Sequence, residues 1–65
     1  MKMYLECNGE KVERMSISYK EAIDEIIDNI KYYYPNATEN ELENAMCWLD
    51  ERSCIRFKNL IATIY

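Results

Sequence analysis

The chain has no histidine among its 65 residues. That removes the side chain most often used as a general base near neutral pH, and with it the Cys–His and Ser–His–Asp arrangements. It also removes the commonest protein ligand for metals. There is a single glycine, so no glycine-rich loop can cradle a phosphate. The three cysteines, Cys7, Cys47 and Cys54, are odd in number and lack the spacing of a zinc site. They read as free, buried thiols of a reducing compartment, with a Cys47–Cys54 disulfide as the alternative. No apolar run reaches the roughly 18 residues of a membrane span, and the N-terminus shows no apolar signal-peptide core. The expected location is the cytoplasm.

Positive charge is also short. Eight Lys and Arg stand against twelve Asp and Glu, a net charge of −4. Binding to a phosphate backbone needs clustered cations, so direct contact with nucleic acid is not expected. An acidic balance suits solubility or a basic protein partner. Asp24 with Asp28, and Glu39 with Glu43, stand at helical spacing and could bind a divalent cation weakly. Acid–base catalysis would need burial to move their pKa values, and no EF-hand pattern is present. The sequence therefore predicts no enzymatic role, no metal and no cofactor.

The hydrophobic content of 49% is that of a globular chain. A chain this short buries only about 60% of its unfolded surface, so one small domain is expected. It is organised around the stretch Ser18–Tyr34. Ser18 with Glu21 three residues on forms a capping box. Tyr19, Ala22, Ile23, Ile26, Ile27, Ile30, Tyr33 and Tyr34 recur at the three-and-four spacing of a wide apolar stripe. Pro35 ends the helix. The opposite face carries Glu21, Asp24, Glu25 and Asp28.

Upstream, Met1–Cys7 alternates, with Met3, Leu5 and Cys7 on one side. Asn8-Gly9 is a strong hairpin signal, and Lys11–Ile17 is the expected return strand. A two-residue turn would put Val12 with Met3 and Leu5. A three-residue loop with a bulge would put Met15 and Ile17 there. The second register is preferred because it covers two apolar residues where the first covers one. Downstream, Thr38 and Glu41 form another capping box. This also accounts for the threonine of Asn36-Ala37-Thr38, which matches a glycosylation acceptor. The second helix runs to about Arg52, with Leu42, Ala45, Met46 and Leu49 inward and Trp48 beside them as partly buried packing. Glu39, Glu43 and Asp50 face outward. Ser53–Tyr65 resolves as a hairpin turning at Lys58-Asn59, with Ile55, Phe57, Leu60, Ala62 and Ile64 on one face.

The predicted fold is α+β, in the order β-β-α-α-β-β, with two antiparallel helices on one face of a mainly antiparallel four-stranded sheet. Strand order is not legible. The uncovered sheet face is assigned Tyr4, Val12, Ile61, Thr63 and Tyr65, among Lys2, Glu6, Arg14 and Arg56.

Two functions follow as expectations. The first is a small acidic interaction module that binds and regulates or inhibits another macromolecule. Its contact is the acidic helix surface of Glu21, Asp24, Glu25, Asp28, Glu39, Glu43 and Asp50. In size and charge, though in no motif, the chain resembles the small anti-defence inhibitors of phages and mobile elements. That resemblance implies a basic nucleic-acid-binding surface of an enzyme as the target. The second is a homodimer formed through the open sheet face.

Overall fold

The computed structural model describes residues 1–65. The chain runs β1 (Met3–Cys7), β2 (Glu10–Arg14), α1 (Tyr19–Tyr33), α2 (Glu39–Arg52), β3 (Cys54–Phe57) and β4 (Leu60–Ile64). The fold is α+β, in the order read from the sequence. The four strands form one sheet in the order β2-β1-β4-β3, with every neighbouring pair antiparallel. The two ends of the chain thus lie side by side at the centre of the sheet.

That order follows from what each strand can bury. Every inward residue of β1 (Met3, Leu5, Cys7) and of β4 (Leu60, Ala62, Ile64) is buried. Central strands have neighbours on both sides and suit such residues. β2 is Glu-Lys-Val-Glu-Arg, with one apolar residue, and stands at an edge where charge meets water. β3 is the other edge.

Helix α1 supplies Ala22, Ile26, Ile27 and Ile30 to the core, more than any other element. At its start the Glu21 N–H donates to Ser18 Oγ (3.2 Å), while the serine hydroxyl donates to the Glu21 carboxylate (2.7 Å). At its end Tyr34 reaches the β3–β4 turn, where its phenol oxygen accepts from the Asn59 N–H (3.0 Å). Helix α2 has the full capping box. Thr38 N–H donates to Glu41 (2.9 Å), and Glu41 N–H donates to Thr38 Oγ1 (3.2 Å). The two helices are antiparallel, since Tyr19 at the start of α1 donates its hydroxyl to Leu49 O near the end of α2 (2.9 Å).

The first hairpin takes the two-residue register. Cys7 faces Glu10 and Leu5 faces Val12. Asn8 (φ 52°) and Gly9 (φ 86°) both adopt positive φ, as a type I′ turn requires. This corrects the bulged register and moves four residues: Val12 and Arg14 to the helix-covered face, Lys11 and Glu13 to the open one. Val12 lies on the helix-covered face with Leu5, not on the open face, and packs against the core. Arg14 also lies on the covered side, opposite Met3. Counting apolar residues misleads here because β2 ends at Arg14. Met15, 63% exposed, and Ile17 belong to the connection into α1.

Two polar clamps join the edge strand to α1. Tyr33 donates its hydroxyl to Glu10 (2.7 Å), and the Arg14 guanidinium pairs with Glu25 (2.6 Å). The backbone ladder to β1 holds β2 in place, and Val12 with these two contacts ties it to α1. The hydrogen bond to Glu10 pushes the Tyr33 pKa up to about 12. The second hairpin turns at Lys58-Asn59, with Phe57 opposite Leu60. Lys58 sits at φ 55°, a backbone state that glycine or asparagine would adopt more easily.

Candidate interaction surfaces

Three surfaces are open to a partner. The first is the outer side of the helix layer. Glu21, Asp24 and Asp28 on α1, and Glu39, Glu43 and Asp50 on α2, are exposed there. Glu25 is held against Arg14, the only ion pair in the structure. Asp50 accepts from the Tyr19 hydroxyl at 3.3 Å; burial, with the nearby Asp50 charge and this bond, raises the tyrosine's pKa. The remaining carboxylates of this layer have no ion-pair partner, although Lys20 and Lys31 stand on the same helix.

Between the helices runs a shallow seam lined by Ile23, Met46, Cys47 and Asp50. Met46, expected on the inner stripe of α2, is instead 43% exposed. Only Ala45 and Leu49 of that stripe are buried, because α1 already fills the space beneath the helix pair. Cys47 and Cys54 are exposed and Cys7 is buried, so the thiols are free but only one of them is enclosed. The seam carries apolar atoms at the centre of an acidic surface, with Glu43 and Asp50 one turn to either side of Met46 along α2.

The second surface is the open face of the sheet. Cross-strand registers arrange it in two rows: Cys54, Thr63, Tyr4, Glu13, and Arg56, Ile61, Glu6, Lys11. Tyr65 lies beyond them, joined to Lys2 by a pair of backbone hydrogen bonds. Tyr4, Thr63, Ile61 and Tyr65 occupy this face as assigned, and Lys11 and Glu13 stand on it where Val12 and Arg14 were expected. Tyr4 donates to Glu6 (2.7 Å), a contact that raises its pKa and holds its polar tip against the sheet. The face is more polar than the pattern suggested, because the tight turn sends Lys11 and Glu13 outward and takes Val12 to the covered side.

The third surface went unnoticed in the sequence. A groove of about 630 Å³ runs along the free edge of β3. Its helical wall is Glu41, Asn44, Trp48 and Arg52, residues at three-and-four spacing on the side of α2 that overhangs the strand. Trp48 is 46% exposed. The Arg52 guanidinium stacks over its ring, 3.9 Å from the centroid. Ala45, Ile55 and Phe57 form the floor, and the space continues round the edge to Arg56, Ile61 and Thr63. The signal that could have found it is the Trp48–Arg52 pair, four apart and off the buried stripe.

No group of three or more Cys, Asp or Glu side chains is placed to hold a metal ion. No helix is long and apolar enough to cross a membrane. Comparison of the chain with protein-family models, with curated proteins and with solved structures found no match.

Proposed function

We propose that the chain is a small acidic interaction module that regulates or inhibits another macromolecule by covering a basic surface, such as the nucleic-acid groove of an enzyme. The observation that carries this reading is the helix layer: an apolar seam of Ile23, Met46 and Cys47 set among carboxylates that lack counter-ions. An apolar centre with a polar rim is the anatomy of a protein interface. Unneutralised carboxylates would speed encounter with a cationic partner and select for it. The alternative, a homodimer through the open sheet face, has less in its favour. That face holds Lys11 and Glu13 where Val12 was expected, so less apolar area is available to bury.

The test is capture of the partner from extracts of the source cell by tagged chain, at low and high salt. Capture should weaken as salt rises. It should be lost in the triple variant Asp24→Lys, Asp28→Lys, Glu43→Lys, which spares the Glu25 ion pair and leaves Glu21 in the α1 cap. Excess nucleic acid should displace the captured protein. Capture that survives both the triple reversal and Met46→Glu would overturn the proposal.

A further inference from the structure

We propose that the free edge of β3 is a strand-addition site for an extended peptide of a partner protein, one that alternates acidic and apolar residues. The backbone supplies the first argument. Ser53 C=O accepts from Ile64 N–H (2.7 Å). From there the ladder alternates, so Ile55 and Phe57 bond towards β4. The N–H and C=O groups of Cys54 and Arg56 therefore point away from the sheet, and none of them has a backbone partner there.

The two edges of the sheet are treated differently. β2 is charged at four of five positions and clamped to α1 by Tyr33–Glu10 and Arg14–Glu25, which is how an edge is closed to pairing. β3 carries one charge in four residues. The groove beside it touches both faces of the sheet at that edge, which is the space a fifth strand would fill. Its size falls within the range of ordinary ligand sites.

The chemistry of the occupant follows from the walls. A peptide residue opposite Ile55 would point to the helix side, onto Ala45 and Phe57 beside Trp48. An apolar side chain suits that position. Its neighbours would project to the other face, next to Arg56, and Arg52 closes the groove on the helix side. The groove's one carboxylate, Glu41, is engaged by Thr38. Lys58 adds positive charge nearby, lowering the Glu41 pKa along with the stronger hydrogen bonds from Thr38. In a chain of net charge −4 this cationic edge selects acidic residues. A nucleic acid would meet the same arginines and Trp48, but it would leave the edge amides unpaired, and the acidic helix layer would repel it.

The experiment titrates the chain with the blocked peptide Ser-Glu-Val-Glu-Ile-Glu-Ser. Trp48, the only tryptophan, reports by fluorescence, and amide exchange is followed by NMR. The expected result is a blue shift of Trp48 emission and slowed exchange at Cys54 and Arg56. The peptide Ser-Lys-Val-Lys-Ile-Lys-Ser should bind at least about ten-fold more weakly. The double variant Arg52→Glu, Arg56→Glu should reverse that preference while leaving the amide spectrum of α1 and β1 intact. The proposal is overturned if the acidic peptide leaves exchange at Cys54 and Arg56 unchanged. It is equally overturned if an oligothymidylate occupies the groove in its place. The same holds if those amides are already protected in a free protein of dimeric mass, which would make a second copy the occupant. None of these outcomes bears on the acidic helix layer, so the two proposals stand or fall separately.

Discussion

Two isoleucines one turn apart on α1 offer a test of how the fold is held. Ile26 is fully buried, and Ile23 is partly buried, packed against the core on one side and open to the helix seam on the other. Truncating Ile26 to alanine removes about 80 Å² of buried apolar surface, worth about 2 kcal/mol. The cavity left behind adds about 1–2 kcal/mol if the neighbours do not collapse into it. Alanine's better helix propensity returns about 0.4 kcal/mol. The net loss is therefore about 3 kcal/mol, against roughly 3–10 kcal/mol of total stability for a chain of this length. The midpoint should fall by about 12–24 °C. Ile23→Ala makes the same chemical change with the same propensity gain, but it should cost only about 1 kcal/mol, because less area is lost and the seam is open, so no closed cavity is left. Thermal melts followed by circular dichroism at 222 nm, with urea titrations alongside, would compare the two. Equal losses would refute the argument that the sheet-facing side of α1 contributes more to stability than its seam side.

Three further outcomes follow from particular contacts. Gly9→Ala places a side chain at φ 86° and should cost about 1–2 kcal/mol, while Val12→Ala should destabilise more than Met15→Ala; the reverse order in urea titrations would restore the bulged register. Thr38→Ala removes the α2 cap and should cost about 1 kcal/mol. Because Thr38 holds the Glu41 pKa below its ordinary value, the wild type should lose this contribution as pH falls through that depressed pKa, and Glu41→Gln should flatten that part of the acid profile. Tyr33, pushed up to about 12 by Glu10, should ionise late in an absorbance titration at 295 nm. The folded form holds that proton more tightly, so the contribution is whole below pH 10 and fades towards 12; Tyr33→Phe should remove the late step, and a titration unchanged by the substitution would discount the clamp.

Much of the architecture was legible in the chain because it depends on near neighbours. Ser18, Glu21, Thr38 and Glu41 cap helices through residues three apart, and Pro35 stops α1 whatever surrounds it. Alternation in Met3–Cys7 and Leu60–Ile64 reports burial of one face without saying against what. Strand order was not legible, because alternation says which face a strand buries and not which neighbours it pairs with; only the structure puts the charged Glu10–Arg14 at an edge. In the first hairpin the preference of Asn8-Gly9 for a two-residue turn outweighs the apolar pattern of Met15 and Ile17, which lie beyond the end of β2. The candidate surfaces were harder to see. Met46 and Trp48 are as apolar as the core residues around them, and only the room left by α1 and the position of β3 decides that they stay outside.

The residues alone determined the element order, both helix caps, the second turn and the inward sides of β1, β3 and β4, since each depends on groups a few positions apart. Tertiary structure alone decided that β1 and β4 lie together at the centre, that Val12 faces α1, and that α2 overhangs an unpaired strand edge. These are matters of which surfaces compete for the same small core. With α1 filling most of it, α2 can bury only Ala45 and Leu49, and that leaves Trp48 and Arg52 to wall a groove.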